Sequence, residues 1–220
     1  MNKPQILKAC IFDLDGVIVD TAVYHYIAWR KLANQLGFDF TEAQNEDLKG
    51  ISRIDSLKII LNWGGVSKSE DEMEALASLK NTWYVDMIKQ MTPNEILPGA
   101  KEFLIATKEN GYLTALGSAS KNSKLILNQV GLTNYFDVLV DGNKVTKSKP
   151  NPEVFLVAAK ELNVKPEECV VFEDAIAGIQ AAKAGEMKAI GIGDKRLLKE
   201  ADLVVKGLFE MTIEKLKTLA

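Results

Sequence analysis

The chain has 220 residues, of which 47% are hydrophobic and 26% charged, and its net charge at pH 7 is −3. This length and composition indicate a soluble globular protein with one large domain, or with one domain that carries a smaller insert. The slightly acidic charge, without a basic stripe on any predicted helix, argues against a nucleic-acid-binding protein. No apolar stretch of the sequence is long enough to cross a bilayer, which argues against a membrane protein.

Two cysteines, Cys10 and Cys169, both fall in apolar runs that are typical of buried strands. A reduced thiol in such a run behaves as a small hydrophobe. Two free thiols in a reducing compartment are therefore favoured over a disulfide, although the two residues could pair. Residues 1–4 show no signal-peptide pattern. We expect a cytoplasmic monomer that acts on small molecules, without nucleic-acid or membrane partners.

The first apolar run, Ala9–Phe12, predicts a short buried strand. The following part of the chain, residues 21–92, has apolar residues at helical spacing and no convincing strand. Its helical patterns cover residues 24–33, 55–61 and 72–89. The pattern closes near Thr92-Pro93, where a turn is expected. We predict a small all-helical unit, inserted directly after the first strand.

From about residue 97 onward, strand and helix patterns alternate along the chain. Strands are predicted over residues 112–116, 136–140, 169–172 and 189–192. Helices are predicted over residues 100–109, 121–130 and 174–184, and from the pair Asn151-Pro152 to residue 162. Such alternation predicts right-handed crossovers and a mostly parallel sheet. The predicted fold is α/β, with a Rossmann-like core formed by residues 1–20 and 93–220 and an all-helical cap formed by residues 21–92.

Polar residues follow four of the predicted strands. If these strands are parallel, their carboxyl ends share one edge, which is where ligands bind in open α/β sheets. Two like charges side by side, as in Asp13 and Asp15, are costly unless a cation or a reaction uses them. The residues at the four strand ends are Asp13 and Asp15, Ser118, Lys149, and Glu173 with Asp174.

Acids, a hydroxyl and an ammonium at one edge suit a phosphate group together with a divalent cation. Asp13 and Asp174 offer the hard oxygen ligands that Mg²⁺ prefers. Ser118 and Lys149 could hold the remaining phosphoryl oxygens. Each residue alone has a commonplace explanation, such as a turn, a helix N-cap or a solvated lysine. Their joint placement after predicted strands instead favours phosphoryl transfer.

On these motifs the chain resembles the haloacid dehalogenase-like phosphotransferase superfamily over essentially its whole length, helical cap included. The resemblance implies that Asp13 is the nucleophile, which forms an aspartyl phosphate and binds Mg²⁺. It implies that Asp15 is the general acid and base, and that its backbone carbonyl also binds Mg²⁺. It leaves Glu173 open between a direct metal ligand and a supporting residue beside Asp174. The acid at position 15 points to the phosphatase and phosphomutase branches of the superfamily.

Within this superfamily, residues 21–29, 48–57 and 118–122 and the pair Lys80-Asn81 closely resemble the β-phosphoglucomutase subfamily. The resemblance implies that His25 orients Asp15 and that Arg53 binds the distal phosphate of a bisphosphorylated sugar. The implied substrate-binding residues are Trp29, Gly50, Arg53, Lys80, Ala119, Ser120, Lys121 and Asn122. A planar guanidinium suits phosphate oxygens, and residues 120–122 offer donors at the start of a predicted helix.

Three functions stay open at this point. The leading hypothesis is the isomerisation of β-D-glucose 1-phosphate to glucose 6-phosphate through the 1,6-bisphosphate, with cap closure to exclude water. The joins near Asp20-Thr21 and Thr92-Pro93 are the expected hinges. The alternative is a sugar-phosphate or phosphoglycolate-type phosphatase on the same scaffold. The third is a catalytically silent regulator that binds a sugar phosphate, which no motif favours.

Overall fold

A computed structural model describes residues 6–219, so the expectation about residues 1–4 lies outside the described part of the chain. The described residues form one sheet of six strands in the order β3-β2-β1-β4-β5-β6, and every neighbouring pair is parallel. The strands are β1 (Ala9–Phe12), β2 (Leu113–Gly117), β3 (Val138–Val140), β4 (Cys169–Glu173), β5 (Lys188–Ile192) and β6 (Leu203–Val205). The predicted α/β fold with a mostly parallel sheet is confirmed.

Four helices lie between β1 and the rest of the sheet in sequence, and we call them the cap helices. They are α1 (Ala22–Gln35), α2 (Glu42–Glu46), α3 (Arg53–Trp63) and α4 (Glu70–Ile88). Five further helices accompany the later strands. They are α5 (Ala100–Glu109), α6 (Ser123–Gln129), α7 (Glu153–Glu161), α8 (Ile176–Ala184) and α9 (Ile213–Lys217). The exact division of the chain into core and cap stays a prediction.

The two faces of the sheet are covered by different apolar clusters, because successive residues of a strand point to opposite sides. In β1, Cys10 and Phe12 pack into one cluster, whereas Ala9 and Ile11 pack into the other. Cys169 pairs in register with Ala9 and shares its cluster, so the two thiols lie on opposite faces of the sheet. Both thiols are free and buried, as the sequence led us to expect.

The cap helices have an apolar cluster of their own, in which Trp29 and Leu32 of α1 pack with Leu57 and Ile60 of α3. The end of α4 leaves this cluster, because Tyr84 and its neighbours pack with the residues that cover the sheet. The cap helices are thereby anchored to the sheet at the end of α4. Among the described residues, no helix is both long and apolar enough to cross a membrane.

The sequence pattern missed β6, α2 and α9, which are only three to five residues long. Periodicity over so few residues is a weak signal, and these elements form because neighbouring elements support them. The strand predicted from residue 136 begins instead at Val138. Phe136 turns its ring into the core beside Phe12, at a centroid distance of 6.2 Å. The helix predicted from Asp174 begins at Ile176, which leaves Asp174 in the loop at the sheet edge.

Candidate active site

The sheet brings the predicted polar residues together at its carboxyl edge. Because β1 lies between β2 and β4, Asp13, Ser118 and Glu173 stand on three neighbouring strands or directly after them. The backbone N–H of Asp13 donates to the carbonyl of Phe172 (2.9 Å), and that of Ser118 donates to the carbonyl of Val140 (3.0 Å). These bonds extend the ladder one residue past β1 and β2. The position of the site backbone is therefore set by the sheet itself.

Lys149 joins two of the acids. Its Nζ lies 2.5 Å from Oδ1 of Asp13 and 2.7 Å from Oε2 of Glu173. The three side chains are almost fully buried, so the charges are screened little by water. Burial opposes the charged ammonium, but Asp13 and Glu173 outweigh it and raise the pKa of Lys149. Lys149 is thus a permanent cation that holds the Asp13 carboxylate in place.

Asp13, Glu173 and Asp174 form a cluster of oxygen donors. One carboxylate oxygen from each lies within 4.8 Å of the others. Burial raises the pKa of both Glu173 and Asp174, with Lys149 and Lys49 respectively acting against it. Buried acids at this spacing repel one another, and a divalent cation with oxygen ligands would relieve the repulsion. The donor set therefore fits a divalent metal.

Within this cluster, Glu173 and Asp174 have different surroundings. The two oxygens of Glu173 already accept hydrogen bonds, Oε2 from Lys149 and Oε1 from the backbone N–H of Ala175 (3.0 Å). Asp174 instead borders the cavity described below and pairs with Lys49 at 3.1 Å. Of the two neighbouring acids, Asp174 is the one that lines the cavity.

Gly16 makes the close approach of the first and fourth strand ends possible. Its φ of +76° lies in the left-handed region, and a Cβ there would overlap the carboxylate of Asp174. Glycine avoids both the strain and the overlap. The Asp-x-Asp-Gly motif thus ends in glycine because the chain must turn directly against the carboxylate of Asp174.

Asp15 has the properties of a proton carrier. Burial, followed by the nearby charge of Asp13, raises the pKa of Asp15 to about 7. The hydroxyl of Thr21 donates a short hydrogen bond to Oδ1 of Asp15 and acts in the opposite direction. A carboxyl group that titrates near neutral pH can both give and take a proton, which is what general acid–base catalysis needs.

His25, which is partly buried, and Lys80, which is buried, form a pair between α1 and α4. Lys80 Nζ donates to Nδ1 of His25 at 2.9 Å and lies over the ring of Trp29, 4.3 Å from its centroid. Burial, then Lys80, lowers the pKa of His25 well below its usual value, so the imidazole is neutral. Within the described residues His25 bonds Lys80 rather than Asp15. That His25 orients Asp15 stays a prediction from the sequence, since no hydrogen bond between these two residues supports it.

A second group of donors comes from α3 and from the loop before α6. Arg53 is the first residue of α3 and is about half buried, and within residues 6–219 no carboxylate forms an ion pair with it. Burial lowers the pKa of the Arg53 guanidinium, but an arginine side chain keeps its charge in proteins. Asn122 donates from Nδ2 to Oδ1 of Asn81 on α4 (2.9 Å), which links the loop to the cap helices. A partly buried arginine without a counter-ion suits an anionic ligand.

One cavity of about 980 Å³ unites these groups. Every predicted site residue lines it except Glu173, which is fully buried. From the sheet edge come Asp13, Asp15, Ser118, Ala119, Ser120, Lys121, Asn122, Lys149 and Asp174, and from the cap helices and their loops come His25, Trp29, Gly50, Arg53 and Lys80.

The cavity is also lined by residues that the sequence did not single out as site residues, among them Thr21, Lys49, Asn81 and Tyr84. Thr21 precedes α1 and would be taken for a helix cap, yet its side chain makes no capping bond and donates to Asp15 instead. Lys49 lies in a loop and contacts Asp174, a relation between distant residues that no local pattern encodes. Asn81 had a signal in its position beside Lys80, and Thr21 and Lys49 lay within the segments 21–29 and 48–57 that carry the resemblance, whereas Tyr84 had none.

The fold and this site define a phosphoryl-transfer enzyme of known architecture. A sequence model of the haloacid dehalogenase-like hydrolases matches residues 7–185, and the chain belongs to this family. The chain is 42% identical to the β-phosphoglucomutase of Bacillus subtilis over 94% of its length and 93% of that protein. A crystal structure of β-phosphoglucomutase from Clostridium difficile superposes with a TM-score of 0.94 at 46% identity, covering 97% of this chain and 96% of the other. A phosphorylated carbohydrates phosphatase of Thermotoga maritima is 31% identical, over 90% of this chain and 93% of that protein.

Proposed function

We propose that this protein is a Mg²⁺-dependent β-phosphoglucomutase, which interconverts β-D-glucose 1-phosphate and glucose 6-phosphate through β-glucose 1,6-bisphosphate. The observation that carries the proposal is that one cavity is lined by two groups of side chains, each suited to bind a phosphate. The metal-side group is built around Asp13, and the second combines Arg53 with Ser120 and Asn122. A hydrolase of monophosphates needs only the first group. A mutase has to hold a bisphosphate in either of two orientations, which makes the second group useful.

The reaction divides into two phosphoryl transfers through Asp13. Phosphorylated Asp13 donates its phosphoryl group to the 6-hydroxyl of β-glucose 1-phosphate, and Asp15 takes the proton of that hydroxyl. The bisphosphate then turns round in the cavity. The carboxylate of Asp13 takes the phosphoryl group from O1, and Asp15 returns its proton to that oxygen. Glucose 6-phosphate leaves, and the phosphorylated enzyme is restored.

Other residues of the site hold charge during these steps. Asp13 and Asp174, supported by Glu173, would hold Mg²⁺, which when bound offsets the negative charge of the transferred phosphoryl group. Lys149 fixes Asp13 by the 2.5 Å contact, and the hydroxyl of Ser118 would bind a phosphoryl oxygen.

Exclusion of water decides between transfer and hydrolysis. We propose that the segments near Asp20-Thr21 and Thr92-Pro93 are hinges about which the cap, residues 21–92, closes on the core. His25, Lys80 and Trp29 would then cover the reacting phosphoryl group and leave the sugar hydroxyl as the nearest acceptor.

A phosphatase of small sugar phosphates is the second candidate, because relatives with that printed activity share about a third of the sequence. Phosphorus NMR separates the two. With β-glucose 1-phosphate, Mg²⁺ and a trace of the bisphosphate, the proposal expects the substrate signal to be replaced by that of glucose 6-phosphate. Inorganic phosphate in step with substrate loss, without glucose 6-phosphate, would refute it.

A further inference from the structure

Lys49 forms an ion pair between the cap helices and the sheet edge. It belongs to residues 47–52, which join α2 to α3 and which we call the cap loop. Its Nζ lies 3.1 Å from Oδ2 of Asp174. A Cβ built on the next residue, Gly50, would lie 3.7 Å from Cδ of Lys149 and 3.6 Å from Cβ of Ala175. The cap loop therefore rests directly on residues of the candidate active site.

Two lysines balance the charge of the three clustered acids, and they differ in how firmly they are held. Lys149 contacts Asp13 and Glu173 from within the core, and its side chain is 1% exposed. Lys49 pairs with Asp174 from the cap loop, and its side chain is 33% exposed. The cation beside Asp174 is thus supplied by a segment that can move relative to the sheet.

Lys49 can leave Asp174 without losing its counter-ion. Its Nζ also lies 2.8 Å from Oε2 of Glu46, the last residue of α2. Glu46 precedes the cap loop directly, so this second pair stays intact when the loop moves away from the core. An ammonium and a divalent cation on one carboxylate repel each other strongly at such short range. When Asp174 binds a divalent metal, Lys49 should therefore keep Glu46 and release Asp174.

We propose that Lys49 competes with the divalent metal for Asp174, so that metal binding and the contact of the cap loop with the core oppose each other. Lys49 is a positioning residue, because it acts through Asp174 and not on the substrate. The coupling is reciprocal: release of the cap loop raises the affinity for the metal, and the metal favours release of the loop. The inference rests on the metal site of the proposed function and not on the identity of the sugar.

Calorimetric titration with Mg²⁺ alone, without a sugar phosphate, tests the competition. Lys49→Met keeps most of the stem and removes the charge. We expect its Kd for Mg²⁺ to fall about tenfold, which lies between the effect of an exposed ion pair and that of a buried one. Lys49→Arg, which keeps the charge, should differ from the wild type by less than about threefold. Lys68→Met is the matched control, because it removes the same charge from the cap, where Lys68 pairs with Glu72 at 2.9 Å.

Hydrogen exchange of the cap loop supplies a second readout, which does not depend on activity. Because the coupling is reciprocal, Mg²⁺ should speed the exchange of the backbone amides of residues 47–52 in the wild type. In Lys49→Met, the loop lacks this contact from the start, so Mg²⁺ should leave its exchange unchanged.

A Kd in Lys49→Met that equals or exceeds that of the wild type would overturn the proposal, because Lys49 would then support the metal site or have no effect on it. An equal gain of affinity in Lys68→Met would also overturn it, since net charge alone would be the cause. So would slower exchange of the cap loop when Mg²⁺ binds to the wild type. The phosphorus NMR test of the reaction product is independent of these outcomes, so the proposed function and this inference fail separately.

Discussion

Replacement of Lys149 by methionine should destabilise this protein far more than the loss of any surface ion pair. The substitution keeps most of the aliphatic stem and removes the ammonium that contacts Asp13 at 2.5 Å and Glu173 at 2.7 Å. Both carboxylates remain buried without their partner. Removal of one member of a buried ion pair costs about 3–5 kcal/mol. This corresponds to a roughly 150- to 5,000-fold change in the unfolding equilibrium at 1.36 kcal/mol per factor of ten.

The assay is urea unfolding in the presence of EDTA at pH 7.5, followed by tryptophan fluorescence, with the free energy taken from the midpoint and the slope. Lys144→Met is the matched control, because Lys144 pairs with Glu161 at 2.7 Å but both side chains are well exposed. Such surface pairs contribute about 0–1 kcal/mol. If Lys149→Met loses no more stability than Lys144→Met, the buried charge cluster is not what we describe.

The pH dependence of the Lys149→Met deficit has a definite sign. Burial raises the pKa of Glu173, and Lys149 acts against that rise, so the substitution raises the pKa of Glu173 further. A carboxyl group with a raised native pKa weakens stability as the pH rises through that value. The deficit should therefore grow as the pH rises above about 8, where Glu173 of the wild type has lost its proton and Glu173 of the variant still holds one. A deficit that grows on acidification would contradict this explanation.

Three further predictions concern the cavity. The Cε1 proton of His25, the single histidine, should show no NMR titration between pH 8 and pH 6, since burial and Lys80 lower its pKa well below 6.5. Lys80→Met should bring the titration back towards its usual range. Arg53→Ala should lower mutase kcat/KM about 100-fold, because the substrate loses a charge-assisted hydrogen bond to its phosphate. Phosphate release from a small monophosphate should change less than threefold. In Gly178→Ala the added Cβ would overlap the carboxyl group of Glu173. We therefore expect Mg²⁺ binding, measured by calorimetry, to weaken at least about tenfold, even though alanine favours a helix by about 1 kcal/mol relative to glycine.

Each of these predictions has a contrary outcome. A His25 signal that titrates near pH 6.5 would mean an exposed imidazole. Arg30→Ala is the control for Arg53→Ala, because Arg30 lies on the exposed side of α1 and pairs with Asp39. It should leave mutase activity unchanged. If it loses as much activity as Arg53→Ala, the argument for a distal phosphate site fails. Unaltered Mg²⁺ affinity in Gly178→Ala would show that Glu173 does not support the metal site.

Much of the fold could be predicted because most of its strands are buried, apolar runs of the chain. The run Ala9–Phe12 is apolar throughout, as expected when both faces of a parallel strand are covered. Helix α5, which the sequence predicted over its observed bounds, shows strongly amphipathic spacing and ends before Asn110-Gly111. The short β6 and α9 carry no comparable pattern. They depend on contacts with other elements, such as the pairing of β6 with β5.

The part of the site that lies at the strand ends could also be predicted from the sequence. Residues that end strands, such as Asp13 and Ser118, are placed by the topology, so a parallel sheet is enough to bring them together. Thr21 and Tyr84 are different, because their place in the cavity depends on how α1 and α4 pack on the sheet. A hydroxyl before a helix looks like a cap, and a tyrosine in an apolar helix looks like core. Only tertiary packing distinguishes those ordinary roles from the contacts observed.

The fate of the phosphoryl group on Asp13 tests the central claim most directly. The enzyme would be phosphorylated with a small acyl phosphate carrying labelled phosphorus, freed of excess reagent, and mixed with glucose 6-phosphate and Mg²⁺. The account predicts that most of the label appears in glucose 1,6-bisphosphate, faster than the phosphoenzyme loses label to water alone. Release of the label as inorganic phosphate, at one rate with or without the sugar, would contradict it.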